Sequence, residues 1–155
     1  MKNEVEGQKL TKWEQLKSKA KVIHKLELDF EGEIFPVEVQ SVSQATLDAI
    51  TEKYDDMKKP LPKVFMKDSK KWVECAEDSA EYIDWKKQDK LIESGKMAEL
   101  ALAFLVEKPD GNSTEEQIKE LKEFIRPGDF IQIIQAGYEA CGFNLDKAIE
   151  DGKKS

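Results

Sequence analysis

One segment of this 155-residue chain is apolar on nearly every side of the helix that it predicts. Met97–Val106 contains a single charged residue, Glu99. A helix that is hydrophobic all round is normally a buried one. The segment is too short to cross a bilayer, since a membrane-spanning helix needs about 20 apolar residues. We therefore expect it to lie at the centre of the fold, with the other elements packed around it.

The apolar segment belongs to a longer predicted helix. Asp78-x-x-Glu81 has the form of a capping box, in which two side chains each satisfy a free N–H at a helix start. The helix then spans about 78–106, and Ser94-Gly95 is expected to break or weaken it. The other helix signals are Thr11-x-x-Glu14 before about 12–20, Ser41-x-x-Gln44 before about 44–57, Ser113-x-x-Glu116, and a last helix after Arg126-Pro-Gly128 with Gly142 as its C-terminal cap.

Two hairpins are predicted between these helices. Apolar and charged residues alternate over 22–30 with the period of two that is typical of a strand, and Glu31-Gly32 supplies a turn. The register set by this turn pairs Leu28 with Phe35, Leu26 with Val37, His24 with Val39, and Lys25 with Glu38. Pro36 has no N–H to donate and indicates an edge strand. A second, Lys-rich hairpin is predicted from 63–67 and 71–75.

These elements predict an α+β fold, a mainly helical single domain with a small N-terminal β-hairpin layer. We divide the chain into a basic, loosely held N-terminal arm (1–20), a single globular domain (21–150) and a mobile tail (151–155). The net charge of −7 is unevenly placed: residues 1–25 hold seven lysines against three glutamates. The remaining residues hold 18 basic against 29 acidic side chains, and such an acidic body disfavours nucleic acid as a partner.

The sequence also indicates where the protein is found. The N-terminus lacks the apolar stretch of a secretory signal, and nothing is long and apolar enough to span a membrane. Cys75 and Cys141 lack the paired spacing of zinc or redox motifs. They are interpreted as reduced thiols, with a disulfide between them as the alternative. We therefore expect a cytosolic protein.

No pattern of catalytic, cofactor-binding or metal-binding residues emerges. His24 is the only histidine, and it falls in the alternating strand pattern. The two cysteines lie in a Lys-rich hairpin and on an apolar helix face, where neither is activated. The many carboxylates fall on polar helix faces, without a pocket that would separate two pKa values. We expect no cofactor, no metal and no enzymatic activity.

Candidate interaction residues come from apolar side chains outside the expected core. Of the three tryptophans, Trp13 is the best candidate because its helix is Lys-rich and peripheral. Pro36 marks an edge strand that is only partly protected. The last helix carries more apolar surface than one core-facing stripe needs. The candidate partner-binding residues are therefore Trp13, Leu16, Pro36, Phe130, Ile131 and Ile134.

Taken in order, the segments over about 10–150 resemble a known family. They begin with a basic helix (Leu10-Thr-Lys-Trp-Glu-Gln-Leu16) and a charged hairpin (Leu26-Glu-Leu-Asp-Phe30 and Phe35-Pro-Val-Glu-Val39). Pro60-Leu-Pro62, the helix entry Asp78-Ser-Ala-Glu-Tyr82, its end at Leu102–Pro109, two apolar helices and Gly142-Phe143 follow. This order resembles the tail assembly chaperones of long-tailed phages and defective prophages of Gram-positive bacteria.

The resemblance implies a non-catalytic function in the bacterial host cytoplasm. Members of that family coat the long, apolar tape-measure protein and keep it soluble until tube subunits polymerise around it. The implied partners are the tape-measure protein, the tail-tube protein as a second candidate, and further copies of the chain in a homo-oligomer. The alternative is a small intracellular adaptor that binds one regulatory protein partner.

Overall fold

The computed structural model describes residues 11–19 and 21–143. Over these residues the fold is α+β and mainly helical, with two small antiparallel hairpins, as the sequence predicts. The N-terminal ten residues, residue 20 and residues 144–155, which include the predicted tail 151–155, lie outside the described residues. The elements are α1 (Lys12–Ser18), β1 (Ile23–Phe30), β2 (Glu33–Gln40), α2 (Gln44–Asp55), β3 (Lys63–Met66), β4 (Lys71–Glu74), α3 (Ala80–Phe104), α4 (Thr114–Phe124) and α5 (Pro127–Ala140).

The second half of α3 lies at the centre of the fold, which confirms the prediction for Met97–Val106. α2, α4 and α5 all pack against α3, and α5 also packs against both strands of the first hairpin. Phe104 and Val39 have no exposed surface, and Ile133 of α5 is 1% exposed in the same cluster. Burying each such side chain contributes about 1.5–3 kcal/mol, so this cluster holds the helices and the first hairpin together.

α3 is continuous through Ser94-Gly95, so the break expected there is wrong. A Cβ atom at Gly95 would lie 3.0 Å from Cε1 of the Tyr54 ring. The Tyr54 hydroxyl donates to Oε1 of Glu99 at 3.2 Å, and Lys53 Nζ donates to the same oxygen at 2.6 Å. The glycine therefore admits α2 to the surface of α3 and does not interrupt the helix.

The first hairpin has the predicted register, with Leu28 opposite Phe35 and Lys25 opposite Glu38. The chain leaving α3 runs along the outer edge of β2, where Val106 N–H donates to the Glu38 carbonyl at 3.1 Å. An antiparallel bridge between Val39 and Leu105 accompanies this bond. Part of the β2 edge is therefore covered.

The helix caps agree with the sequence in part. The Thr11–Glu14 capping box is present, and Ser113 caps α4 as predicted. The caps of α2 and α3 are Ser43 and Ser79, so the predicted boxes at Ser41 and Asp78 are wrong. Ser41 Oγ instead accepts from Val22 N–H at 3.0 Å, at the open end of the first hairpin.

Gly142 is the C-terminal cap of α5, as predicted, with a φ of +95°. Phe143 N–H donates to the Tyr138 carbonyl, and Gly142 N–H donates to the Glu139 carbonyl. These two bonds form a Schellman motif. The rings of Tyr138 and Phe143 lie 5.5 Å apart and supply its apolar contact.

Candidate partner-binding surface

β3, β4 and the loop between them form a hairpin, named here the aromatic hairpin, that leaves large apolar side chains exposed. Phe65 lies opposite Trp72, and their ring centroids are 5.5 Å apart. Phe65 is 48% exposed and Trp72 is 66% exposed. The other side of the hairpin carries Met66 and Val73, which are also exposed. A two-stranded hairpin without packing partners is only marginally stable in water, so its exposed apolar groups favour contact with another molecule.

The base of the aromatic hairpin is tied to the body of the protein. Trp85 of α3 donates from Nε1 to the Lys59 carbonyl at 2.8 Å, just before the Pro60-Leu61-Pro62 segment. Cys75 N–H donates to the Pro62 carbonyl at 2.9 Å, and Cys75 is buried. The Trp85 bond therefore ties the segment that leads into the hairpin to α3, and the Cys75–Pro62 bond closes the hairpin at its open end.

A second group of exposed apolar side chains lies at the turn of the first hairpin. The rings of Phe30 and Phe35 meet edge to face with centroids 6.4 Å apart. The Arg126 guanidinium lies 4.1 Å from the centre of the Phe30 ring and donates to the Asp29 carbonyl at 2.6 Å. Its hydrogen bonds to the Asp129 carboxylate raise the pKa of Arg126. These contacts bind the turn to the start of α5.

The residues that the sequence singled out fall on three separate elements. Trp13 and Leu16 of α1 are 75% and 58% exposed, and no residue of α1 is buried. Pro36 is exposed on β2. On α5, Ile131 is 55% exposed, whereas Phe130 is half-buried against the core and Ile134 is 6% exposed within it. Among the described residues no hydrogen bond or ring contact joins these candidates across elements.

Sequence reasoning missed Phe65 and Trp72. The predicted hairpin strands are present, but the sequence favours Trp13 among the three tryptophans, and Phe65 is not among its candidates. The available signal was the register: a four-residue loop over 67–70 puts the two rings opposite each other. Cross-strand aromatic pairs of this kind stabilise hairpins.

Histidine and cysteine side chains are often used in catalysis or metal binding, and here they make structural contacts. His24 is half-buried opposite Val39. Both cysteines are free thiols, and Cys141 Sγ accepts from Val42 N–H at 3.4 Å. Within residues 11–19 and 21–143, no three His, Cys, Asp or Glu side chains are grouped so that they could hold a metal ion.

Two hollows adjoin α3. A cleft beside Trp85 and Met57 has a volume of about 20 Å³, enough for roughly one water molecule. An open depression of about 410 Å³ is lined by Tyr82, Ile83 and three lysines. It is open to solvent, unlike the enclosed apolar pockets that bind small molecules.

No protein family, curated protein or solved structure matches this chain. In the described part of the chain, no helix has the length and apolar character needed to cross a membrane. The exposed Phe65 and Trp72 rings of the aromatic hairpin form the best candidate binding surface.

Proposed function

We propose that this chain is a non-catalytic tail assembly chaperone of a phage or prophage. It binds the tape-measure protein and keeps it soluble in the host cytoplasm while the tail is built. The order of its segments, which resembles that family over about residues 10–150, supports the proposal. The tail-tube protein is a second candidate partner, met when the tube polymerises around the client.

The observation that carries this proposal is the exposed Phe65–Trp72 pair on the aromatic hairpin. Tryptophan and other large aromatic residues contribute most to protein interfaces when a partner covers them. A long apolar helix offers a stripe of side chains that such a pair could cover. The client would thereby lose the exposed apolar surface that drives its aggregation.

The rest of the molecule suits a protein that must keep an apolar client in solution. The net charge is −7, and charged residues make up 37% of the chain. A net charge well away from zero keeps proteins apart and soluble. A complex that presents this charged body outward and holds the client on the aromatic hairpin stays dispersed.

The test is co-expression of the full chain with a fragment of a phage tape-measure protein. We expect the fragment to stay in the soluble fraction with the natural chain, and to move to the pellet with Phe65→Ser/Trp72→Ser. Trp72→Phe keeps an aromatic ring and should retain most of the effect. A matched control, Ile83→Ser/Leu91→Ser, changes side chains of α3 that are 60% and 65% exposed.

Three outcomes would contradict the proposal. One is a client that stays insoluble with the natural chain. Another is equal loss of client with the hairpin and the α3 variants, which would remove the aromatic hairpin as the site. The last is a complex that dissociates in moderate salt on sizing, since apolar burial resists screening and exposed charge pairs do not.

A further inference from the structure

Among the described residues, no segment of chain runs along the outer edge of β1 in the first hairpin. In an antiparallel pair, alternate residues direct their N–H and C=O groups toward the partner strand or away from it. Ser41 N–H donates to the Val22 carbonyl at 2.8 Å, so the even-numbered residues of β1 face β2. Ile23, Lys25, Glu27 and Asp29 therefore direct their backbone groups outward.

The outer edge of β2, in contrast, is covered in part. Its outward residues are the even-numbered ones, and Glu38 already accepts a hydrogen bond from Val106. Pro36 is also an outward position, so its missing N–H costs the hairpin nothing and denies a donor to any added strand. Pro36 thus protects the β2 edge, and the partly open edge expected there lies on β1.

No described residue bonds to the outward backbone groups of Ile23, Lys25 or Glu27. At the turn end of the strand, the Asp29 carbonyl accepts from Arg126. β1 is eight residues long and has no proline, which makes its edge a template for another strand. β3 and β4 also have free edges, but they are four residues long and flanked by lysines, which discourages pairing.

We propose that the β1 edge is a self-association surface, which pairs antiparallel with the β1 edge of a second copy about a two-fold axis at Leu26. The two hairpins then form one four-stranded sheet with β1 and its copy at the centre. This inference does not depend on the proposed client.

The charges of β1 select a second copy and its register. With the axis at Leu26, Lys25 lies opposite the partner's Glu27 and Glu27 lies opposite the partner's Lys25, so one kind of pair forms twice. Glu27 has no charged residue directly across from it in its own hairpin, because it faces Pro36. Both residues are outward positions, so each pair also exchanges its backbone N–H···O bonds. Opposite charges directly across antiparallel strands are favourable.

Amide exchange measured by NMR at several protein concentrations gives the sharpest test. The amides of His24, Leu26 and Leu28 face β2 and should exchange slowly at every concentration. The amides of Ile23, Lys25 and Glu27 should exchange fast in dilute protein and at least about tenfold more slowly in the dimer. A protein that stays monomeric, or a dimer in which these three amides remain fast, would overturn the proposal.

Charge variants test the register independently. Glu27→Lys places like charges opposite each other twice and should weaken the dimer about tenfold or more. Lys25→Glu/Glu27→Lys restores opposite charges across the axis and should recover most of the affinity, less the repulsion that Lys25→Glu creates opposite Glu38 of its own hairpin. Glu33→Lys makes the same charge change on β2 and should leave the affinity unchanged. A double variant that dimerises no more tightly than Glu27→Lys would overturn this register. If the amides of the β1 edge exchange slowly only when another protein is present, the occupant of the edge is not a second copy of the chain.

Discussion

Gly137 of α5 lies directly against the ring of Phe104 of α3. A Cβ atom at position 137 would stand 2.1 Å from Cγ and 2.2 Å from Cδ2 of that ring. The Phe104 side chain has no exposed surface and cannot swing into solvent. The missing side chain at 137 therefore lets α5 approach the central helix at this point.

Gly137→Ala should destabilise the protein. Alanine favours a helix over glycine by about 1 kcal/mol, but an added atom in a filled core costs typically about 1–3 kcal/mol and sometimes more. Because the added Cβ would overlap the ring, we expect a net loss in the free energy of unfolding, measured by urea denaturation. Gly128→Ala is the matched control in the same helix, since a Cβ there meets nothing within 4 Å. Equal stability of the two variants would contradict the packing described.

Arg126 should stabilise the junction between the first hairpin and α5 through Asp129. Its Nε and one terminal nitrogen donate to the two Asp129 oxygens at 2.5 and 2.9 Å, and Asp129 is 4% exposed. Arg126→Gln leaves this buried carboxylate without its guanidinium, so we expect the free energy of unfolding to fall. Arg126→Gln/Asp129→Asn should lose less than the two single variants summed. Strict additivity in this cycle would mean that the pair does not interact.

The free energy of unfolding should fall at alkaline pH because the Tyr54 phenol ionises there. Burial raises the pKa of the Tyr54 phenol, and the Glu99 carboxylate raises it further. Hydrogen bonding to Glu99 likewise raises the pKa of Lys53. With both folded-state pKa values raised, these contributions are complete below the unfolded pKa values of about 10, and they are lost as the pH rises through the folded values.

Tyr54→Phe isolates the phenol contribution. The variant should be less stable at pH 7 by about 1 kcal/mol, because it lacks the bond to Glu99. Its free energy of unfolding should then decline less steeply than that of the natural chain above about pH 10. Denaturation curves over pH 7–11 measure both effects. Identical slopes for the two proteins would exclude Tyr54 as a source of the alkaline loss.

Residues 11–19 should exchange their amide hydrogens fast, against slow exchange in 97–106. α1 has its capping box but no buried residue, and a helix of seven residues without packing does not offset its ordering entropy. Ala98, Ala101 and Phe104, in contrast, have no exposed surface. Hydrogen exchange followed by mass spectrometry compares the two segments. Equal protection in both would show that the arm is held.

The sequence by itself determined the elements whose information is local. The register of the first hairpin follows from a two-residue turn and alternating side chains, and both strands of the second hairpin follow from the same pattern. The buried half of α3 follows from residues that are apolar on every side. Gly142 ends α5 because glycine readily adopts the left-handed backbone conformation that this position requires. In each case the physical cause lies within a few neighbours along the chain.

Tertiary structure decided whatever depends on residues far apart in the chain. Gly95 is read locally as a helix breaker, but Tyr54 fills the space above it and α3 continues. Ile134 is read as surplus apolar surface, but it lies in the core because α5 packs against both α3 and the first hairpin. Pro36 alone does not tell which edge of the first hairpin is open. The chain at Val106 runs along part of the β2 edge, and this leaves the β1 edge free. Packing partners and covered edges are set by the three-dimensional approach of distant segments, which no local pattern contains.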